Sequence, residues 1–403
     1  MAVKKRYLGK NVLEAAQERI ERVFDTFGRV CVSFSGGKDS ATLLHLVAAE
    51  ARKSHRRFSV LFIDWEVQFS FTIAYVEEMR QYYQDVIDNF WWVALPLRTG
   101  SGVSQYQPEW ISWERNTSWV RQPPPLAVTD EEYFPFYTYG MTFEEFIPAF
   151  NQWFAGEYKA AGLVGIRTEE SLNRHRALTS MKKKCYASDM PWTTSTVGNA
   201  WLAYPLYDWK VKDIWLYYAR TSLPVNPVYE LMYKAGVPLR SMRICEPYGT
   251  EQRHGLWLYH VLDPEIWSKA CERVQGASSG ALYSRKNTAF FGRGALSKPS
   301  RLSWHQYALT LLDCMPSATA EHYRNKIAVY LQWYKCRGWP DGIPQEQQND
   351  TGAKDIPSWR RICKCLLKND YWCRMLSFSP TKSTAYKQYC RRLRDKRREW
   401  NVI

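Results

Sequence analysis

The segment Val32-Ser33-Phe34-Ser35-Gly36-Gly37-Lys38-Asp39-Ser40 constrains this chain more than any other. The apolar run Val30 to Phe34 reads as a short buried strand, and Ser40 to Ala51 reads as a helix. A glycine pair stands between them. Glycines let the backbone turn tightly and come close to an anion. The helix that follows aims N–H groups and the positive end of its dipole at the same place. Ser35 and Ser40 add hydroxyl donors, Lys38 adds charge, and Asp39 can orient Mg2+ or the loop itself. A strand, a Gly-Gly turn and a helix in this order can cradle a phosphate, although a plain turn entering a helix has the same local form. It is not a Walker A loop, which needs an earlier glycine and a G-K-[ST] ending.

The surrounding chain carries the rhythm such a site needs. Asn11 to Phe27 has helical apolar spacing, Phe58 to Ile63 reads as a second strand, Phe69 to Ile87 as a helix, and Trp91 to Leu97 as a third strand. Thr142 to Ala160 then reads as a helix and Gly162 to Ile166 as another strand, followed by a helix over Val211 to Thr221. Alternating strands and helices predict an α/β fold with a doubly wound, mostly parallel sheet. Residues 98–140, with Trp110, Trp113, Trp119 and Pro123-Pro124-Pro125, break the rhythm and read as a packed insertion or lid. Beyond a boundary near residues 245–255 the pattern changes. Ser303 to Cys314 and Ala320 to Cys336 look helical, and Gly338 to Pro357 reads as a surface loop. The expected organisation is a nucleotide-binding domain over 1–250 and a mainly helical, basic domain over 251–403.

Composition narrows the setting. The chain has 403 residues, and no apolar stretch in it is long enough to span a bilayer. No secretory h-region follows the basic start, so the expected location is the cytoplasm. Ten cysteines are scattered without any C-x-x-C pair. Cys363, Cys365 and Cys373 are a weak metal signal, and packed thiols are the favoured reading. The net charge of +15 is partly local, in Lys182-Lys183-Lys184 and in the tail Lys382 to Arg398. Such a tail either binds a polyanion, most plausibly nucleic acid, or is a solvated basic helix; the sequence weighs the two about equally.

A second motif follows the fourth strand: Gly165-Ile166-Arg167-Thr168-Glu169-Glu170-Ser171, with Arg174 and Arg176 after it. Ligands in open α/β sheets bind at the carboxyl ends of strands. Arg167 is therefore placed to take phosphate or sulfate oxygens bidentately. A third passage, Tyr204-Pro205-Leu206-Tyr207-Asp208-Trp209-Lys210 through Leu223-Pro224, Asn226-Pro227 and Tyr229, reads chiefly as architecture.

Together these motifs resemble the PP-loop ATP pyrophosphatase superfamily. Ser35 to Ser40 is similar to its S-G-G-x-D-S loop, and residues 165–171 are similar to the G-[IL]-R-x-x-x-S segment of PAPS reductases. The likeness covers roughly residues 10–250. Phe62-Ile63-Asp64-Trp65-Glu66 and Gln107-Pro108-Glu109-Trp110 resemble a divergent PAPS-reductase-like branch that includes the immunoglobulin-binding regulator A proteins. The resemblance implies an adenine nucleotide alpha hydrolase-like fold and ATP, or PAPS or APS, with Mg2+ as ligands. It also implies a ParB/sulfiredoxin-like protein as a candidate partner. The expected ligand contacts are Ser33, Ser35, Gly36, Gly37, Lys38, Asp39, Ser40, Asp64, Gly165, Arg167, Ser171 and Arg174. Lys38, Asp39 and Arg167 are the candidate catalytic residues and Asp39 the candidate Mg2+ ligand.

The chain also departs from the family pattern. The reductase E-C-G-L-H segment is absent, and Cys245 has no C-x-x-C partner, so no iron–sulfur cluster is expected. The reductase D-T-G at the end of the second strand is replaced by Asp64-Trp65-Glu66. Three readings result. The first is an enzyme that cleaves ATP at the α–β phosphoanhydride to adenylate a nucleic acid or a partner protein. The second is a sulfonucleotide reductase using Cys245 or Cys185. The third is a nucleotide-sensing or DNA-associated subunit without turnover.

Overall fold

The computed structural model describes residues 9–104, 106–179, 183–244, 248, 255–278, 296–347 and 356–378, apart from the side chains of 172, 173, 176 and 177. Cys245, Lys182 and the basic segment Lys382 to Arg398 lie outside the described residues. The chain forms two compact units, Met1–Pro96 with Arg121–Tyr139 and Phe146–Cys245, and Leu97–Val120 with Gly140–Glu145 and Glu246–Ile403.

The first unit is built on a six-stranded sheet. Its strands are β1 (Arg29–Phe34), β2 (Phe58–Ile63), β3 (Ile87–Val93), β6 (Ala160–Val164), β7 (Thr193–Ser195) and β8 (Ala200–Ala203), in the order β3-β2-β1-β6-β8-β7. All neighbours pair in parallel except β7 with β8. The fold is thus the expected mostly parallel α/β sheet. β2 is buried at every position, as a strand covered on both faces must be. Helix α1 (Val12–Thr26) starts with a capping box of Asn11 and Glu14 and buries Ile20, Val23 and Phe24. Its Arg19 forks onto both Asp208 oxygens at 2.8 and 2.7 Å.

Several boundaries differ from the periodicity. The helix after β2, α3, runs Ser70–Tyr82, and Ile87 opens β3 instead of closing the helix. β3 therefore begins four residues before the expected Trp91 and ends at Val93. The next helix, α4 (Phe143–Ala155), stops short of Ala160 because Gly156 takes φ +55, a left-handed stop that releases the chain into β6. Helix α5 spans Leu172–Thr179 and α6 spans Val211–Thr221, the latter as the periodicity predicts, whereas β7 and β8 lie outside that pattern.

In the second unit, β4 (Arg98–Gly100) and β5 (Glu109–Ile111) form a small antiparallel pair. The other elements are mostly helices, among them Pro264–Arg273, Trp304–Asp313, Ser317–Lys335 and Trp359–Leu367. The first half of the segment read as an insertion thus groups with the C-terminal helices. Asn369 joins the two by donating to the Ser104 carbonyl at 2.8 Å. Cys363, Cys365 and Cys373 are buried in this unit's core with Trp304, Tyr323 and Ile362. Burial pushes the Cys363 thiol up to about 12, which suits a packed thiol. Among the described residues no helix is long and apolar enough to cross a membrane.

Candidate nucleotide-binding site

Strand order locates the site. Running outward from β1, the chain goes to β2 and β3 on one side and to β6 and β8 on the other. The order reverses between β1 and β6, and the crevice outside their carboxyl ends is where an open α/β sheet takes its ligand. β1 delivers the loop Ser35 to Gly37, and β6 delivers Gly165 to Arg167.

The loop is closed by its own hydroxyls. The Ser35 amide donates to Ser40 Oγ at 3.1 Å, and Ser40 Oγ donates to the Gly37 carbonyl at 3.0 Å. Gly36 takes φ +70, and a Cβ there would lie 2.7 Å from Thr72 Cγ2, so only glycine fits. Gly37 caps α2 (Lys38–Lys53) without a side-chain bond. Gly165 is required for a different reason. Its Cβ would stand 2.9 Å from the Asp39 carbonyl oxygen and 3.1 Å from Ser40 Cα, so β6 passes against the first turn of α2.

That approach brings three charges together. Arg167 Nε donates to Asp39 Oδ1 at 2.6 Å, and Lys38 Nζ donates to Asp39 Oδ2 at 3.0 Å. Arg167 and Lys38 are 2% and 3% exposed, whereas the Asp39 side chain keeps 20% of its surface. Lys38 also donates to the Met242 carbonyl at 3.0 Å. Burial lowers the Lys38 pKa and the Asp39 charge opposes that; the nearby guanidiniums of Arg167 and Arg243 lower it further. The result is a cationic pair held by one carboxylate, beside a helix N-terminus.

The other expected residues are placed as follows. Ser33 lies within β1, paired in register with Leu61 and Val164. Ser171 Oγ accepts from the Arg174 amide at 3.2 Å, and Arg174 pairs with Glu170. Asp64 is fully buried at the end of β2, where it accepts from Trp92 Nε1 at 2.7 Å and from the Glu66 amide at 3.0 Å, and pairs with Arg121. Glu66, at the place where the reductase pattern has glycine, takes φ +63. A non-glycine residue held there costs on the order of 1 kcal/mol. Cys185 is half-buried, its Sγ 3.7 Å from the Pro191 carbonyl.

The passage around Asn226, which reads in the sequence chiefly as architecture, reaches the loop itself. Asn226 Nδ2 donates to the Gly36 carbonyl at 2.9 Å and to Thr72 Oγ1 at 3.1 Å. Tyr229, in α7 (Val228–Lys234), accepts the Lys38 amide at 2.9 Å. The segment is anchored behind the loop by His45 of α2. One His45 ring nitrogen bonds the Pro224 carbonyl at 3.0 Å and the other meets the Tyr83 hydroxyl. Burial lowers the His45 pKa from the usual 6.5 to about 4, so the ring is neutral.

Comparison with known proteins gives the same frame. Residues 29–122 and 136–235 match the phosphoadenosine phosphosulfate reductase domain, and residues 236–344 and 345–387 match a domain of unknown function, DUF3440. The uncharacterized protein YbdN of Escherichia coli (strain K12) is 56% identical over 404 residues, covering 100% of this chain and 99% of its own length. The chain belongs to the PAPS reductase-like family. A more distant relative, the uncharacterized protein MJ0066 of Methanocaldococcus jannaschii, is 26% identical over 50% of this chain and 33% of its own. Among solved structures, FMN adenylyltransferase of Candida glabrata with FAD and inorganic pyrophosphate is 16% identical, at TM-score 0.33 over 56% of this chain and 63% of that one. PAPS reductase of Candida auris, as a phosphate complex, is 14% identical, at TM-score 0.29 over 54% of this chain and 84% of that one. The family domain thus spans both the Gly-Gly loop and Arg167, while the C-terminal helices match the second domain.

Proposed function

We propose that this chain binds an adenine nucleotide at Ser35 to Ser40 and cleaves ATP between its α and β phosphates. The product would be an adenylated acceptor, a nucleic acid or a partner protein, and pyrophosphate would be released. The observation that carries this reading is the meeting of buried Lys38 and Arg167 on Asp39 outside β1 and β6. Two buried cations beside a helix N-terminus form a preorganised seat for a polyphosphate. The membership in a nucleotide-handling family supports it.

The chemistry follows from that seat. A lone pair on the acceptor attacks the α phosphorus, the bond from that phosphorus to the bridging oxygen breaks, and the bond's electrons leave on pyrophosphate. The acceptor loses its proton to solvent. Lys38, Arg167 and the loop amides stabilise the negative charge on the departing pyrophosphate and hold it in line. Asp39 suits Mg2+, since one carboxylate together with phosphate oxygens is a common way to hold that ion. When bound, Mg2+ would neutralise phosphate charge. Lys382 to Arg398, with eight Lys or Arg at 382, 387, 391, 392, 394, 396, 397 and 398, supports a polyanionic acceptor.

The test is calorimetry with ATP and PAPS, followed by product analysis. Binding of ATP with pyrophosphate release upon addition of acceptor supports the reading. Sulfite release from PAPS with a thiol donor replaces it with reduction. If neither nucleotide binds at millimolar concentration, the reading is removed.

A further inference from the structure

The Lys38 amide is the first N–H of α2, the donor that a phosphate at this helix end would meet first. It is already engaged. Tyr229 Oη accepts it at 2.9 Å, and Tyr229 is 3% exposed. The hydroxyl is held in that place from several sides. Trp215 meets the Tyr229 ring edge-on at 5.6 Å between centroids, and Lys38 Nζ lies 5.5 Å from the ring centroid. Asn226, three residues earlier, is bonded to the Gly36 carbonyl, so α7 starts fastened to the loop itself. A Cβ added to Gly37 would lie 3.4 Å from the same hydroxyl. Tyr229 Oη therefore stands at the mouth of the Gly-Gly turn.

The side chains around it follow the same logic. Lys38 Nζ and Arg167 Nε both turn to Asp39, a carboxylate that stands where a ligand anion would compete. Three protein oxygens, the neutral Tyr229 hydroxyl and the two of the Asp39 carboxylate, thus occupy the donors that the proposed nucleotide needs. A phosphate oxygen is the better acceptor for the amide, because a charge-assisted hydrogen bond is roughly twice as strong as a neutral one.

We propose that Tyr229 is an internal plug of the anion seat: its hydroxyl accepts the Lys38 amide and gives way to a phosphate oxygen when a polyphosphate binds. The inference rests on the proposed nucleotide reading and adds to it a residue that sets affinity by competition. The plug keeps a buried helix N–H bonded, and it makes the site discriminate. A weak monoanion gains little by displacing the hydroxyl, whereas pyrophosphate or a nucleotide tail gains several contacts at once.

The experiment measures inorganic pyrophosphate and ATP binding by calorimetry on the full chain, wild type and Tyr229→Phe. Losing the competing hydrogen bond should tighten pyrophosphate binding in the variant by roughly three- to tenfold, the fold-change that one net hydrogen bond commands. The melting temperature of the ligand-free variant should fall at the same time. Equal or weaker binding in Tyr229→Phe, with wild-type binding intact, overturns the plug and leaves the nucleotide reading standing. No binding by either protein overturns both. Should Tyr229→Phe fail to fold, the Lys38 amide resonance of isotopically labelled wild type decides. It moves on titration with pyrophosphate if the hydroxyl yields, and a Lys38 resonance that stays in place while pyrophosphate binds overturns the proposal.

Discussion

Arg167 Nε lies 2.6 Å from Asp39 Oδ1, a bond between residues 128 positions apart that ties the carboxyl end of β6 to the first turn of α2. The pair closes the crevice at the strand-order reversal, and Lys38 completes it on the second Asp39 oxygen. Arg167→Ala should therefore weaken nucleotide binding by about 1.5–3 kcal/mol, the worth of a charge-assisted contact. Calorimetry with ATP on a variant of native circular dichroism measures this. Unchanged affinity would leave Arg167 as an internal brace only.

Asp39→Asn separates stability from affinity. Removing the carboxylate leaves two buried cations side by side, and breaking a buried pair costs about 3–5 kcal/mol. Because Asp39 keeps part of its surface, solvent screening should bring the loss toward the low end. The variant should melt lower than wild type without ligand and recover most of the difference with pyrophosphate in Mg2+-free buffer, since the anion takes the vacated place. A variant that melts like wild type, or gains nothing from pyrophosphate, contradicts this account.

Gly165→Ala tests the approach of β6 to α2. The new Cβ would meet only backbone, the Asp39 carbonyl and Ser40 Cα, so no flexible side chain can absorb it. Overpacking of this kind costs about 1–3 kcal/mol, and it should also separate Arg167 from Asp39. Lower thermal stability and lower ATP affinity are expected together. Alanine tolerated without loss of either would mean that the two elements shift apart freely.

How much of this was visible beforehand depends on range. Ser35 to Ser40 was legible because a glycine pair between an apolar strand and a helix is a local pattern. Arg167 was legible because its motif follows a strand at the expected end. Tyr229 and Asn226 read as architecture, since nothing near them in sequence reveals that α7 folds back on Gly36 and Lys38, about 190 positions away. β7 and β8 span only Thr193–Ser195 and Ala200–Ala203, too short to show an alternation. Asp64 is an expected ligand contact only through the resemblance. Its hydrogen bonds to Trp92 and Glu66 and its pairing with Arg121 are tertiary facts that no motif encodes.

His45 gives the last prediction, a pH dependence with a defined direction. The buried ring has a pKa of about 4 in the folded chain against 6.5 unfolded. A depressed folded value means that the unfolded chain binds the proton first. Stability from this group is therefore complete above pH 6.5 and is lost progressively as pH falls to about 4, below which the loss levels off. The difference of 6.5 − 4 corresponds to roughly 3 kcal/mol in full. His45 meets Tyr83 and the Pro224 carbonyl, and Pro224 leads to the Asn226 and Tyr229 contacts on the loop. Protonation thus loosens the support of the phosphate seat as well as the fold. His45→Gln keeps a donor and an acceptor but does not titrate. Its urea midpoint should fall less steeply than that of wild type between pH 6.5 and 4, even if it is less stable at pH 7. Parallel pH profiles for the two proteins would assign the acid sensitivity to other groups.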